Sequence, residues 1–349
     1  MTPGAEEPPP AKANRARSGR SRRSLRLLVT LLLGAPVAVL LIWPQAFGVQ
    51  QAFGVSQLIA FRAPVALILG IGAAICTAVA LFPRRWGIAA GLAIVLGAAS
   101  LGNASILLIR GSANTLPQGD LTVLLWNTQG GATAPDEVAR LVLETGADVV
   151  SLPEMDDEAA AEVARLVTAD GHRMLPHTTR GESGDSWIPT SLLIAEDLGA
   201  YRIDEAAGST PGLPSGVWRP VDGSGPTLVA AHPLPPLPGT MDEWRAGLRW
   251  VAAQCDAPDM IAAGDLNATV DHLSGLGEDG GLVGRCHDAA MEAGTAAAGT
   301  WPSTVPTWIA APIDHVLVGS DWTVRGVRVV TTTGPGSDHR AIVAVLDAR

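Results

Sequence analysis

The sequence has 349 residues, of which 47% are hydrophobic and only 17% are charged. Soluble globular proteins carry about a quarter charged residues, so this composition indicates a chain that is part membrane-embedded and part soluble. The composition argues against a disordered chain and against a small disulfide-rich secreted protein. The formal net charge of −10 argues against a basic nucleic-acid-binding module.

Charge is distributed unevenly along the chain. Residues 1–26 hold seven basic residues and two glutamates, and residues 27–110 contain no aspartate or glutamate. Residues 111–349 contain 13 arginines, no lysine and 32 acidic residues, a net charge of −19. We therefore predict a disordered, basic cytoplasmic tail over 1–26, a transmembrane region over 27–110 and an extracytoplasmic domain over 111–349.

Three apolar stretches are each long enough to cross a bilayer, which takes about 20 helical residues. They cover residues 25–43, 63–83 and 86–109. The alternative is a cleaved signal peptide followed by buried soluble helices. Two further charge-free stretches of this length exceed ordinary core helices, which favours three membrane spans.

The orientation of these spans follows from their basic flanks, because positively charged flanks stay in the cytoplasm. The basic tail places the N-terminus inside, Arg84 and Arg85 place the loop between spans two and three inside, and the third span leads out. The composition is rich in Ala, Gly and Arg and poor in Lys, which suggests a high-GC bacterial source. We therefore predict a multi-pass protein of a bacterial cell membrane with its C-terminal domain outside.

In chain order, the outer domain alternates strands and helices in its first half and is largely β in its second half. Strands are predicted over residues 121–127, 148–152, 187–195, 201–203, 227–231, 260–263, 313–318, 324–330 and 341–345. Helices are predicted from Pro135 onward and over residues 159–169 and 241–255. This order favours an α/β fold of two stacked sheets with helices outside them.

Two of the three cysteines, Cys255 and Cys286, lie in the outer domain, and Cys76 lies in the second apolar stretch. Two cysteines in an extracytoplasmic domain predict a disulfide. The alternative is two free buried thiols.

Polar residues suited to metal binding and proton transfer stand at the ends of the predicted strands. Carboxylates and amides are the ligands that Mg²⁺ or Mn²⁺ prefers, and histidines titrate near neutral pH. Hydrolysis of a phosphate ester needs such a set. Each residue alone also fits a loop, a turn or a surface position, so the prediction depends on their joint order. In chain order they are Asn127, Glu154, His232, Asp265, Asn267, Asp314, Asp338 and His339.

The order of these motifs resembles that of the endonuclease/exonuclease/phosphatase superfamily, over residues 121–346. The resemblance implies a four-layer α/β/β/α sandwich with the site at one edge of the paired sheets, and the apolar N-terminal third is similar to that of bacterial membrane-anchored members. The motifs that carry it are Asn127, Glu154, Gly264-Asp265-Leu266-Asn267, Ile313-Asp314-His315 and Ser337-Asp338-His339.

For the metal, the resemblance implies that Glu154 is the main ligand, helped by Asn127 and Asp338. Two positions depart from the family pattern: some members have an acidic residue where this chain has Gln129, and members usually have Gln where this chain has Pro153. These departures favour a site for one Mg²⁺ or Mn²⁺ ion over a site for two.

For catalysis, the resemblance implies that His339 contacts the scissile phosphate or accepts the proton of water, with Asp314 orienting its ring. Asp265 would orient or activate the water, so either His339 or Asp265 is the base. Asn267 would hold a phosphate oxygen, and His232 would be a second phosphate contact or a proton donor.

Two further sets of residues are left open by the sequence. Glu182, Asp185 and Ser191 compete for a mid-domain contact that the family makes. Trp301 and Trp308, just before Asp314 in the sequence, form either an apolar wall of the cleft or core packing.

The combined prediction is a metal-dependent phosphodiesterase or phosphatase that acts outside the membrane on a small or lipid-linked phosphate ester. The first alternative is a surface nuclease, which the net charge of −19 and the absence of lysine from residues 111–349 disfavour, because duplex affinity depends on Lys and Arg. The second is a catalytically inactive binding domain, which the complete set of polar residues disfavours.

Overall fold

The computed structural model describes residues 11–82, 86–180, 188–331 and 336–349, with side chains from residue 21 onward. These residues belong to two units. One unit comprises the chain up to Phe47 together with Ala63–Ser105, and the other comprises Gly48–Arg62 together with Ile106–Arg349. Residues 48–62, which the sequence analysis assigned to the transmembrane region, therefore belong to the unit of the outer domain.

The described helices before residue 111 are α1 (Ala11–Ile42), α2 (Val55–Ala60), α3 (Arg62–Ala80) and α4 (Trp86–Arg110). Three segments, Ser21–Ile42, Arg62–Ala80 and Trp86–Arg110, are long and apolar enough to cross a membrane. Residues 11–26, predicted to be disordered, are helical, and their Ala, Lys and Arg residues are good helix formers. Residues 1–10 and the Arg84–Arg85 pair lie outside the described residues.

Within the first unit, α1 and α4 make close contact. A Cβ atom on Gly34 would lie 2.6 Å from Cγ2 of Val95, so the position has no room for a larger residue. Ala99 is completely buried in the same cluster. Small residues at such contacts let apolar helices pack closely.

The second unit contains two sheets that have six strands each among the described residues. Its strands are β1 (Leu121–Leu125), β2 (Val149–Pro153), β3 (Met174–Thr179), β4 (Thr190–Ala195), β5 (Tyr201–Ile203), β6 (Gly216–Pro220), β7 (Leu228–Ala231), β8 (Ile261–Asp265), β9 (Leu276–Gly277), β10 (Val283–Gly284), β11 (His287–Asp288), β12 (Asp314–Val318), β13 (Trp322–Val329) and β14 (Ile342–Ala348). The first sheet has the order β13-β14-β1-β2-β4-β3 and the second has the order β11-β12-β8-β7-β6-β5. Strands β9 and β10 pair separately.

The helices of the outer domain are α5 (Pro135–Thr145), α6 (Asp157–Ala169), α7 (Met241–Gln254), α8 (Val270–Leu273) and α9 (Ala289–Glu292). Strand β1 shows how they form layers, because side chains alternate between the two faces of a strand. Val123 and Leu125 face the core between the sheets, and Leu124 faces the core that α5 and α6 cover. On the far side, Trp244 and Leu248 of α7 cover the second sheet. The predicted four-layer α/β/β/α sandwich is confirmed.

The sequence analysis missed two strands of normal length, β3 and β6. Strand β3 lies at the edge of the first sheet and contains Pro176, which only an edge strand tolerates well. Strand β6 begins with Gly216 and ends with Pro220, and both residue types are depleted in strands. In each case the neighbouring strands, and not the local sequence, establish the pairing.

The predicted disulfide between Cys255 and Cys286 is present and closes a sequence separation of 31 residues. Both cysteines are buried beneath α7. The third cysteine, Cys76 in α3, is free.

Candidate active site

The predicted site residues meet at one edge of the two sheets because of strand direction. Strands β1 and β2 are parallel, and Asn127 and Glu154 follow their carboxyl ends. In the second sheet, Asp265 ends β8 and Asp314 begins the antiparallel strand β12, and the two residues are paired in register. His339 precedes β14, which runs antiparallel to β1.

The glycine of the Gly264-Asp265-Leu266-Asn267 motif allows β7 and β8 to run side by side here. A Cβ atom on Gly264 would lie only 1.9 Å from the carbonyl oxygen of Ala231, so no other residue fits without moving a strand. Three site residues that are not glycine have positive φ angles: Gln129 (54°), Glu154 (66°) and Asn267 (49°). Such backbone conformations are uncommon and concentrate at functional sites.

Asn127 connects the carboxylates of the two sheets. Its Nδ2 donates to Oε1 of Glu154 and to Oδ2 of Asp265, both at 3.0 Å. Its Oδ1 accepts the backbone N–H of Gln129 at 3.0 Å, which fixes the orientation of the amide. As described, Asn127 therefore presents hydrogen-bond donors to the carboxylates, and its amide oxygen points away from them, which differs from the predicted role as an oxygen ligand.

His339 and Asp314 form the buried pair that was predicted. Nδ1 of His339 lies 3.0 Å from Oδ2 of Asp314, so Nδ1–H donates, and Nε2 lies 3.6 Å from Oδ2 of Asp265. Burial acts to lower the pKa of His339, but the carboxylates of Asp314 and Asp265 outweigh it and raise the pKa to about 10. The ring is therefore charged at neutral pH in the metal-free protein.

Burial raises the pKa of Asp265 to about 7, against the opposing effect of the His339 charge. The backbone N–H of Asn267 donates to Oδ1 of Asp265 at 2.9 Å, which stabilises the carboxylate form. The side chain of Asn267 donates to the carbonyl of Pro233. Asp265 is therefore a buried carboxyl group whose proton is easily exchanged near neutral pH, as a general base requires.

His232 is fully buried, and burial, together with the charge of His339, lowers its pKa to about 3. Its Nε2 lies 3.8 Å from Oε1 of Glu154 and 4.0 Å from Oδ2 of Asp265. Its Nδ1 is buried and has no hydrogen-bond partner among the described residues. A neutral ring at this position can contact a phosphate oxygen, which suits the predicted role.

Asp338 stands at the rim of the site, with about a third of its side chain exposed. Trp301 donates its Nε1–H to Oδ2 of Asp338 at 2.8 Å, and Oδ1 lies 4.0 Å from Nε2 of His339. The backbone N–H of Asp338 donates to Oε1 of Gln129. Trp301 therefore positions a predicted metal ligand in addition to lining the cavity.

The site residues line a cavity of about 670 Å³. Its acidic lining residues are Glu154, Asp265 and Asp338, and its described lining includes no Lys or Arg. The protonated His339 ring is the one cationic group among these described lining residues, and the three acidic side chains outnumber it. A metal cation that prefers oxygen ligands would balance this negative charge, and the carboxylate and amide oxygens of the lining residues suit it as ligands.

Two sets of residues could hold that cation. One is a buried cluster of Asp265, Asp314 and His339, and the other is the set of predicted ligands, Glu154, Asn127 and Asp338. Asp265, Asp314 and His339 each bring a ligand atom within 4.8 Å of the others, and all three are buried. In this group, however, Nδ1 of His339 is already engaged with Asp314. Glu154 is more accessible, with about a fifth of its side chain exposed, and its Oε1 accepts a hydrogen bond from the neutral amide of Asn127.

The other residues that the sequence singled out lie in different places. Ser191 is buried and hydrogen-bonds to Thr178 and to the carbonyl of Met155, so it does not line the cavity. Glu182 and Asp185 lie outside the described residues. Trp301 lines the cavity, whereas Trp308 is 56% exposed and does not line it.

Supporting contacts escaped the sequence analysis. Ser337 donates its hydroxyl to the carbonyl of Asn127 at 2.5 Å and accepts the backbone N–H of His339 at 2.9 Å. Trp126 donates its indole N–H to the carbonyl of His339. The hydroxyl of Ser337, the first residue of the Ser337-Asp338-His339 motif, joins the two chain segments that carry Asn127 and His339.

The four-layer sandwich carries acidic residues and histidines together at one edge of its sheets. Residues 124–339, more than half of the sequence, match the Endonuclease/Exonuclease/phosphatase family, and the chain belongs to that family. Members of the family are hydrolases that act on phosphate esters, usually with divalent metals. No curated protein matches the sequence.

Solved structures show the same fold at low sequence identity. An endonuclease/exonuclease/phosphatase from Beutenbergia cavernae is 21% identical, with a TM-score of 0.51 over 66% of this chain and 72% of that one. A humanized D. rerio TDP2 is 16% identical, with a TM-score of 0.50 over 65% of this chain and 98% of that one. An endonuclease/exonuclease/phosphatase family protein from Leptotrichia buccalis is 14% identical, with a TM-score of 0.50 over 65% of this chain and 99% of that one.

Proposed function

We propose that this protein is a divalent-metal-dependent phosphodiesterase or phosphatase that acts on phosphate esters at the outer face of a bacterial cell membrane. The observation that carries the proposal is the buried His339–Asp314 pair, whose free ring nitrogen faces Asp265 at 3.6 Å. This arrangement joins a phosphate contact to a group that can accept a proton from water.

The roles of the protein groups follow from their charges. The His339 ring is protonated and suits contact with an anionic phosphoryl oxygen. Asp265 is the stronger candidate for accepting the proton of water, because its pKa is raised to about 7. Asn267 and His232 line the same cavity and provide uncharged contacts to the substrate.

A Mg²⁺ or Mn²⁺ ion bound by Glu154, Asn127 and Asp338 would neutralise charge on the phosphoryl oxygens. To act as an oxygen ligand, Asn127 has to give up the hydrogen bond that its Oδ1 accepts from Gln129. Glu154 provides a charged oxygen at the edge of the cavity, with about a fifth of its side chain exposed.

The membrane location is supported by the three apolar helices and by the make-up of the second unit. Residues 48–62 lie between the first two candidate spans and residues 106–349 lie at and after the end of the third, and they form one unit. If the helices cross a membrane, both segments must be on the same side. Three spans produce that arrangement, and the basic tail then supports a cytoplasmic N-terminus.

Alkaline phosphatase fused after Arg349 tests this orientation, because that reporter is active only outside the cytoplasm. We expect an active fusion. An inactive phosphatase fusion, combined with fluorescence from a cytoplasmic-type reporter at the same point, would place the domain inside.

Nucleic acid is the less favoured substrate. The described lining of the cavity has no Lys or Arg, and residues 111–349 carry a net charge of −19. Because nucleic-acid affinity depends on neutralising many phosphates, the acidic domain favours a substrate with few phosphate groups.

The activity is tested with the purified full chain in detergent and a panel of phosphate monoesters, phosphodiesters and single-stranded DNA, with Mg²⁺ or Mn²⁺. We expect cleavage of at least one small ester, loss of cleavage with EDTA, and loss of cleavage in His339→Ala. His287→Ala is the matched control, since His287 lies opposite Val318 at the other end of β12 from Asp314. Failure to cleave any ester with either metal would contradict the proposal.

A further inference from the structure

The segment between the first two apolar helices, residues 48–62, is fastened to the catalytic domain by side-chain contacts. Gln50 donates to the carbonyl of Ser274 and Gln51 donates to the carbonyl of His272, both at 2.8 Å. These amide contacts are specific and partly buried. They hold the beginning of the segment against the part of the outer domain that contains His272 and Ser274.

The end of the same segment is held by charge. Arg62 makes a bidentate pair with Asp271, at 2.7 Å from Nε and 2.6 Å from a terminal nitrogen, and both side chains are only 3% exposed. Arg110 binds the same carboxylate at 2.7 Å and 2.8 Å. Planar guanidinium–carboxylate pairs fix orientation as well as distance, so α2 and Phe61, which precede Arg62, have a defined position.

That position is at the catalytic cavity. Ser56, Gln57, Ala60 and Phe61 line the same cavity as Glu154 and His339. The Phe61 ring lies 6.2 Å from the Trp301 ring, centroid to centroid, with the planes tilted by 51°. Since Trp301 also donates to Asp338, the apolar wall begins directly beside the polar site.

The cavity has further apolar lining outside this segment. It includes Leu213, Leu234 and Ile313. Ligand cavities of this kind bind the apolar part of a ligand with their walls and orient it with a few polar groups. Apolar walls favour an ester with an apolar organic group over a sugar or a nucleotide, whose hydroxyl groups need polar partners when they are buried.

From these contacts we infer that residues 48–62 form a specificity-determining wall of the active site, and that the substrate is a phosphate ester carrying an apolar alkyl or acyl group. The inference rests on the proposed function, because the phosphate is assigned to the polar end. Phe61 contacts the apolar group of the substrate, and Arg62 positions Phe61 through Asp271. An extramembrane loop of the N-terminal region is thus part of the catalytic centre.

The test measures binding separately from cleavage. Straight-chain alkyl phosphonates from ethyl to octyl, whose carbon–phosphorus bond resists hydrolysis, are titrated into the full chain in detergent with Mn²⁺ present, by calorimetry. We expect Kd to fall by up to about fourfold for each added methylene, the upper value for a fully buried group. The ester series from ethyl to octyl phosphate is assayed for cleavage in parallel.

Phe61→Ser should weaken binding of the octyl compound by about tenfold and weaken binding of the ethyl compound much less. Phe53→Ser is the matched control, because Phe53 lies in the same segment, is 58% exposed and does not line the cavity. Leu213→Ser, at an apolar lining residue outside the segment, should repeat the effect and replaces Phe61→Ser if that variant does not fold.

A chain-length series that is flat in the wild type, or that stays steep in both wall variants, overturns the inference. If Kd falls with chain length but no ester is cleaved, the proposed function is contradicted and the inference about the apolar wall stands. If esters are cleaved without any chain-length preference, the proposed function stands and the inference about the apolar wall is contradicted. Hydrolysis of hexadecyl phosphate in phosphatidylcholine vesicles that hold the chain identifies a membrane lipid as the source, and cleavage of octyl phosphate alone identifies a soluble ester.

Discussion

His339 donates its Nδ1–H to Oδ2 of Asp314 at 3.0 Å, and both side chains are buried. Because Nδ1 is engaged in this way, Nε2 is the ring atom that faces the cavity and Asp265. The carboxylate of Asp314 therefore determines the ring orientation and favours the charged imidazolium. The pair comes from residues 25 positions apart in sequence, at the start of β12 and just before β14.

His339→Ala removes this imidazolium and should lower kcat by about 10²–10⁴-fold, the range typical of general acid–base groups. Asp314→Asn should lower kcat less, because the ring remains present but loses its charged partner. Steady-state kinetics on a cleaved ester measures both losses, and circular dichroism melting checks the fold. Activity of His339→Ala at the wild-type level would remove His339 from the mechanism.

Glu154→Gln should change the metal requirement. The substitution preserves shape but removes one charge, so the Mg²⁺ concentration for half-maximal activity should rise by at least about tenfold, since even indirect partners of metal ligands change affinity by 10–100-fold. Glu158→Gln is the control, because Glu158 is exposed in the first turn of α6, four residues away in sequence. An unchanged metal titration, or activity that survives EDTA, would separate Glu154 from metal binding.

Much of this site could be predicted from sequence because its residues stand where apolar strands end. Asn127, Glu154 and Asp265 all follow that rule, and strand direction then brings them together. Local patterns of this kind depend on alternation and on turn residues, which are visible in one sequence.

What the sequence could not provide are contacts between distant segments. The cavity wall formed by Ala60 and Phe61 comes from a region that reads only as a loop between apolar helices. The pairing of Arg62 with Asp271 joins residues 209 positions apart, and no periodicity predicts it. In the sequence Arg62 directly precedes the second apolar stretch, and in the structure its side chain is buried against the carboxylate of Asp271.

The disulfide is open to a direct test of stability. Closing a separation of 31 residues restricts the unfolded chain and stabilises the fold by about 3–4 kcal/mol on the chain-entropy estimate. Cys255→Ala should therefore lower the melting temperature, and Cys76→Ala should not. The chain denatured without reductant should expose one titratable thiol, and three after reduction. Three thiols before reduction would show that the bond does not form.

His272 provides a prediction about pH, because its neutral form is built into the contact with residues 48–62. Its Nδ1 accepts the backbone N–H of Thr269 at 2.7 Å, and its Nε2–H donates to the carbonyl of Ser56 at 3.0 Å. Burial lowers its pKa to about 4; the Ser56 carbonyl and Asp271 oppose this shift, while Arg62 and His315 add to it. A protonated ring would turn an N–H towards the N–H of Thr269.

The unfolded chain takes up this proton near pH 6.5 and the folded chain near pH 4. The unfolded state therefore binds more protons between these values, so stability falls as pH decreases through this window. The loss amounts to about 3 kcal/mol, or roughly 6–12 °C in melting temperature for a domain of this size. Above pH 6.5 His272 is neutral in both the folded and the unfolded chain, so it does not change the stability with pH there.

Asp265 and His232 have shifted pKa values as well, so the effect of His272 has to be isolated by difference. His272→Gln has no titrating ring, and its melting temperature should fall less than that of the wild type between pH 6.5 and pH 4. His287→Gln is the control, because His287 lies in β11 opposite Val318, at the other end of β12 from the site. Parallel melting curves for wild type and His272→Gln across this window would mean that His272 does not hold the segment through its neutral form.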